Sequence, residues 1–309
     1  MSLPASLQAC LSLPAIAAPM FLISGPDLVV ESCRAGVIGT FPSLNQRSTE
    51  GYAEWLAEIR ERLATVPETA PFGVNLIVHR TNKRLEADLK VTVENKVPLV
   101  ITSLGAVSEL VDAVHAYGGL VFHDVINRRH AEKAVEAGVD GLIAVCAGAG
   151  GHAGTLSPFA FLPEIRSFFD KTLILSGAIS NGRQIAAARM LGADLAYLGT
   201  RFIATKESLA HDEHRRMILE AGTRDLIYTP AISGVPGNFL RASLERAGLD
   251  PENLPSGTAL SLDHETRVWK DIWSAGQGAA AINDIPSVAG LCERLKTEYE
   301  EALKEFCSG

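Results

Sequence analysis

Residues 135–148 read VEAGVDGLIAVCAG, and the order of signals in that stretch decides the fold. An amphipathic run ends in glycine, a short apolar run follows, and a glycine-bearing loop closes the unit. Glycine just past a helix is the residue that accepts the left-handed cap conformation. An unbroken apolar run of four to six residues is a strand covered on both faces. The same unit recurs as ESCRAGVIGTFP (31–42), VHAYGGLVFHDV (114–125) and RMLGADLAYLGT (189–200). Gly118 and Gly138 stand 20 residues apart, one β/α unit; Gly138 and Gly192 stand 54 apart, two units lengthened by the loop that follows Cys146.

Reading outward from these units gives eight strands, at 15–20, 37–41, 73–78, 98–102, 120–124, 141–145, 172–176 and 195–199. Helical patterns such as TEGYAEWLAEIRERLATV, VSELVDAVHAYG and NGRQIAAARMLGA separate them. Strands alternating with helices make a parallel sheet with right-handed crossovers. Eight units within about 200 residues favour an α/β fold of the closed (β/α)8 TIM-barrel type. An open doubly wound sheet lacks its glycine fingerprint after the first strand. The expected organisation is a barrel over 1–200, a helical and loop insertion over 201–270 that caps the site, and barrel-closing helices over 271–309. Those last helices are read at WSAGQGAAAI and SVAGLCERLKTEYEEALKEF.

The 309 residues carry a net charge of −8, 47% hydrophobic and 21% charged residues. No basic block would track phosphates, which argues against nucleic acid as partner. No run reaches the roughly 20 apolar residues of a membrane span. Five cysteines without CxxC spacing read as reduced thiols, so a cytoplasmic protein is expected.

In such a barrel the loops after the strands build the site. Here they read APM at 18–20, FGVNL with Asn75, TSLG, FHDV with His123 and Asp124, CAGAGGH with His152, SGAISNG and GTRF. They are rich in glycine and poor in carboxylates, and no metal-ligand cluster is read. The last two set glycine beside a hydroxyl residue where barrels commonly hold a phosphate, with a helix N-terminus behind. A cofactor such as flavin mononucleotide (FMN) suits these loops, with the glycines at 148, 150 and 151 giving a ring room to approach. Cys146 reads as a buried thiol rather than a nucleophile. His211 and His214 in HDEH read as a solvated helix face. His123 and Asp124, adjacent on one strand, point to opposite faces, so one of them reaches the interior. The histidines at 79, 115, 130 and 264 carry no signal.

The segments AIAAPM, PFGVNL, AGGHAG, ILSGAISNGRQIAAARMLGADLAYLGTRFIAT and SAGQGAAAI together resemble the nitronate monooxygenase family, FMN-dependent barrel enzymes related to flavin-dependent enoyl reductases. The resemblance implies that Ala18, Pro19 and Met20 touch the flavin and that Asn75 hydrogen-bonds it. It implies that Gly150 and Gly151 lie along the ring, that Ser176, Gly177, Ala178, Gly199 and Thr200 hold the phosphate, and that Gln277 lies close by. His152 matches the family's active-site histidine. At two places the chain departs from many relatives: Gly148 stands where an acid is common, and Asp124 where some carry lysine. The implied reaction oxidises a small alkyl nitronate, such as propionate 3-nitronate, with O2 to a carbonyl compound and nitrite. When a neutral nitroalkane binds, an imidazole can take its α-proton at neutral pH. Rival readings are an NAD(P)H-dependent quinone or enoyl-thioester reductase on the same barrel, and a non-enzymatic flavin- or phosphate-binding protein. A metal-dependent barrel hydrolase or aldolase lacks the acids and lysine it would need. A homodimer is the assembly left open.

Overall fold

In the computed structural model, residues 3–254 and 270–308 are described. Eight parallel strands close a barrel: β1 (Ala15–Ala17), β2 (Ile38–Pro42), β3 (Phe72–Ile77), β4 (Leu99–Ser103), β5 (Leu120–Val125), β6 (Gly141–Val145), β8 (Thr172–Ser176) and β9 (Leu195–Leu198), with β9 pairing back onto β1. The TIM-barrel expectation holds, and each of the eight observed strands overlaps its expected position. β1 stops at Ala17 rather than at residue 20. Pro19 has no N–H to continue the ladder, and the Met20 N–H turns to Ser24 Oγ at 3.0 Å.

Side-chain alternation divides the buried apolar residues into two groups. Ile16, Ile38, Leu99, Ile101, Phe122, Ile143, Ile174 and Leu195 pack together inside the barrel. Leu13, Val74, Val100, Val121, Leu142, Leu173 and Leu198 pack outward against the helices. Each such side chain contributes about 1.5–3 kcal/mol when fully buried, and continuous apolar strands arise because both faces are used. Toward the carboxyl ends of β3, β4, β5 and β8 the inward positions become polar, with Asn75, Ser103, Asp124 and Ser176 in place of aliphatic residues. This change of composition marks the floor of the site.

The C-terminal helix Val288–Ser308 closes the barrel by packing on the helix Gly182–Met190. Contact is at backbone distance: a Cβ on Gly182 would collide with Leu295 O and Tyr299 N and lie 2.6 Å from Glu298 Cβ. Gln277–Ala281, expected as part of a barrel helix, is instead a short 3-10 turn. Its run of small residues has no apolar stripe to bury, and the Gln277 N–H is drawn to Gly148 O at 2.9 Å.

The segment from 201 to 270 also differs from the helical and loop expectation. Beyond helices at Asp212–Glu220 and Arg241–Arg246 it supplies two strands, β10 (Leu226–Thr229) and β11 (Gly237–Leu240). These form an antiparallel three-stranded sheet with β7 (Gly151–His152), in the order β10–β11–β7. The rest of that expected segment, residues 255–269 with His264, lies outside the described residues. Among the described residues no helix is long and apolar enough to cross a membrane.

Candidate active site at the carboxyl ends of the strands

A cavity of about 1040 Å³ opens over the polar floor of the barrel. That places it at the upper end of the roughly 300–1,000 Å³ usual for small-molecule sites. Ala18, Pro19, Met20, Asn75, Gly150, Gly151, His152, Ser176, Gly177, Ala178, Gly199 and Thr200 all line it. Gln277 does not: it is exposed, and its side chain stands behind Gly148.

One wall is built to receive an anion. Between β8 and the helix Gly182–Met190 the backbone turns through Gly177 (φ +136) and Ala178 (φ +55). The first of these angles is open essentially to glycine alone. The N–H groups of Gly177, Ala178 and Ile179 take no acceptor among the described residues, which makes the concave run of donors that binds phosphates and carboxylates. The helix behind it does not add its own N-terminus. Ser180 N and Asn181 N donate to Gln184 Oε1, Gln184 N donates to Asn181 Oδ1, and Gly182 N donates to Glu298 Oε2 at 2.7 Å. The anion cradle is therefore the turn itself. Opposite it, a Cβ on Gly199 would meet only ordinary contacts, at 3.7 Å or more, so protein packing leaves that space to a ligand.

The glycines beside His152 line the cavity and also meet a neighbouring loop. A Cβ on Gly150 would lie 2.8 Å from Gly276 N, and one on Gly276 would strike Gly148 O and Gly150 N. Two glycine-rich loops, 148–151 and 275–278, thus lie backbone against backbone. Thr200 Oγ1 fastens the second loop by accepting from Gly276 N at 2.8 Å. The close approach is of chain to chain.

His152 is placed by β11. Its register partner is Gly237, and Asn238, opposite Gly151, donates through its side chain to Ala149 O at 2.7 Å. The imidazole Nε2 lies 3.2 Å from Ser233 Oγ, whose own proton goes to Val235 O at 3.0 Å. A hydroxyl has one proton to give, so Nε2–H is the donor to Ser233. Ser233 is fully buried and fixes the ring. Neither Ser233 nor Asn238 was singled out in the sequence. Both fall within or beside the turn-rich stretch TPAISGVPGNF (229–239), whose proline and glycine density signalled a turn but no contact. Ser233→Ala is expected to lower turnover up to about 10²-fold by freeing the ring while leaving cofactor affinity unchanged, as steady-state kinetics beside a cofactor titration will show.

Several other side chains are accounted for by burial. Alternation puts Asp124 inward and His123 outward, yet both line the cavity because β5 ends there. His123 Nδ1 lies 2.7 Å from Thr102 Oγ1, and burial depresses the imidazole to about 4, with His130 adding to the effect. It is neutral in the working range. Asp124 meets neither Arg128 nor Arg129; it accepts from Ser103 at 2.6 Å. The HDEH helix face is not solvated at His214, which is buried against Trp273 with ring centroids 5.0 Å apart and is pushed down to about 4 by burial. Cys146 is buried and does not line the cavity, and burial raises its thiol to about 12, in keeping with a buried thiol. No metal-binding group of His, Cys, Asp or Glu occurs among the described residues.

A polar-floored cavity at the strand ends of a closed barrel, a turn with free backbone donors and an anchored imidazole make a small-molecule site of the barrel-enzyme kind. The chain belongs to the nitronate monooxygenase family, whose model matches residues 80–298. It is similar to the nitronate monooxygenase of Paraburkholderia phytofirmans, with 27% identity over 95% of this chain and 94% of that protein. It is also similar to the (3aS,4S,5R,7aS)-5-hydroxy-7a-methyl-1-oxo-octahydro-1H-indene-4-carboxyl-CoA dehydrogenase of Rhodococcus jostii, at 28% identity over 76% of this chain; the match spans 65% of that protein's length. Among solved structures, FabK from Thermotoga maritima superposes with a TM-score of 0.81 at 25% identity, covering 99% of each chain. Nitroalkane oxidase from Streptomyces ansochromogenes shares the fold with a TM-score of 0.84 at 24% identity, over 98% of this chain and 100% of that one.

Proposed function

We propose that this oxidoreductase binds FMN and oxidises a small alkyl nitronate, such as propionate 3-nitronate, with O2 to a carbonyl compound and nitrite. The observation that carries this reading is the pairing, in one cavity, of an anion-binding turn at 177–179 with an imidazole held by a strand of its own. The residues fit the cofactor. The turn and Gly199–Thr200 hold its phosphate, and Ala18–Met20 supply apolar contact. Asn75, with both amide protons given to Ile101 O and Ser103 Oγ, presents its carbonyl oxygen as an acceptor for a ring N–H. Gly150 and Gly151 line the same wall. FMN, when bound, supplies the electron-accepting chemistry.

The chain's own residues handle protons and position. His152 takes the α-proton of a neutral nitroalkane, or orients a nitronate already formed. The segment from 201 to 270 acts as a cap, its β11 and Ser233 holding the imidazole against the cavity and limiting water. The site's small-molecule partners are the nitronate or nitroalkane and O2.

A second reading keeps the flavin and changes the substrate to a thioester reduced or oxidised with a nicotinamide. It is favoured by Leu104, Ile126, Leu209 and Tyr228, large apolar side chains that are exposed yet line the cavity, and by the CoA-thioester activity in the name of the Rhodococcus relative. The purified protein is expected to bind FMN with a shifted visible spectrum and to consume O2 with propionate 3-nitronate. Failure to bind FMN would end both readings. Anaerobic bleaching by NADH without nitronate-dependent O2 uptake would select the second.

A further inference from the structure

The chain carries a net charge of −8, yet its cavity shows the reverse balance. Asp124, in the floor, is the one acid among the described residues that line it. At the rim stand the exposed residues His130, Lys133, His211 and Lys270. Basic residues gathered at a cleft focus a positive field on what enters it.

On one side the balance is set by a single helix face. Asn127, the N-cap of the helix Arg128–Glu136, lines the cavity with His130 and Lys133 of that helix. A spacing of three residues puts them in one row, which rises about 9 Å along the axis. Long helical side chains lean toward the helix N-terminus, which carries the Lys133 ammonium back toward His130. Among the described residues neither cation has a carboxylate partner. Glu132 and Glu164 are taken by Arg128, and Glu136 does not line the cavity. Partial burial and the charges of Arg129 and Lys133 hold the His130 imidazole below its usual range.

The row starts close to the reacting imidazole. A Cβ on Gly154 would lie 3.2 Å from Ile126 Cβ, so the chain two residues past His152 crosses directly over Ile126. Ile126 lines the cavity and is 37% exposed, an apolar surface between His152 and the cations. In the flavin reading the cofactor phosphate belongs to the turn at 177–179 after β8. The row follows β5, two strands round the barrel, which leaves it to the substrate.

We propose that this row binds an anionic group, a carboxylate or a phosphate, at the far end of an elongated substrate. The reacting carbon lies at His152, an apolar stretch runs over Ile126, and Lys133 and His130 hold the anion. The inference rests on the reading of His152 as the reacting end of the cavity, and it narrows the substrate class. Propionate 3-nitronate has the carboxylate on a chain shorter than the row, so a longer carboxylated chain fits better.

The test compares O2 uptake with the nitronates of 6-nitrohexanoate and 1-nitrohexane, equal in chain length and different in the terminal carboxylate. Lys133→Glu is expected to raise the ratio of their KM values, charged over uncharged, about fivefold or more, the upper worth of an exposed charge pair. Lys133→Gln is expected to fall between. Lys296→Glu, at an exposed lysine of the C-terminal helix that does not line the cavity, alters net charge equally and is expected to leave the ratio in place. A phosphate source is tested by calorimetric titration of hexanoyl-coenzyme A into the same proteins. Loss of affinity in Lys133→Glu beyond that in Lys296→Glu, without a shift in the nitronate ratio, assigns the row to a phosphate. No selective loss with either probe overturns the proposal, as do equal losses in Lys133→Glu and Lys296→Glu. Should neither nitronate drive O2 uptake in the wild type, the nitronate reading falls and the titration alone decides whether the row binds an anion.

Discussion

His152→Asn is expected to slow turnover of a neutral nitroalkane by about 10²–10⁴-fold, the usual worth of a positioned general base, and to affect a pre-formed nitronate far less. Asparagine is too short to reach Ser233 Oγ, 3.2 Å from the native Nε2, but the pairing of residues 151 and 152 with β11 is made by backbone, so the loop keeps that anchor while the proton acceptor is lost. The two substrates differ only in whether the α-proton is still in place. The ratio of their rate losses therefore isolates proton abstraction from binding. Steady-state O2 consumption with each substrate measures it, and equal losses on both would remove His152 from the role of base.

Gly182→Val is expected to be among the most destabilising single changes in the barrel, at about 3 kcal/mol or more. The reason is geometric: a Cβ at 182 meets the backbone of the C-terminal helix at Leu295 and Tyr299, and backbone has no rotamer with which to yield. Overpacking of side chains commonly costs 1–3 kcal/mol; here the two helices must separate, and Glu298 loses its bond to Gly182 N, now 2.7 Å. Urea unfolding will show it as a lowered midpoint. A midpoint within error of the wild type would mean the C-terminal helix is not fastened to the barrel by this contact. Because the anion-binding turn at 177–179 leads directly into that helix, FMN affinity is expected to fall with stability.

The barrel could be read from sequence because a strand covered on both faces leaves an apolar run that no turn interrupts, as in GLIAV at 141–145 and LAYL at 195–198. The residues around the cavity were legible for a related reason: each stands where such a run stops. What escaped was chemistry carried by short or non-periodic segments. β7 has two residues and β10 and β11 four each, too few for alternation to declare itself, so the sheet holding His152 was invisible. Gly150 announced a close approach, but sequence alone does not say to what, and one neighbour it meets is the backbone of Gly276. Gln277 sits in a recognisable run, yet a short 3-10 turn rotates it outward. The Asn75–Ser103–Asp124 chain joins three strands through register, and register becomes visible only once the sheet is closed.

The sheet that carries His152 ties its working geometry to residues some eighty positions later in the chain. Such non-local pairing forms late in folding, and three short strands confer little independent stability. The imidazole therefore belongs to a cooperative unit weaker than the barrel beneath it, one that can open while the eight-stranded core stays intact. Amide hydrogen exchange should find the protons of β7 and β11 released at lower free energy than those of β5 and β6. On warming, activity should then disappear while the barrel is still folded.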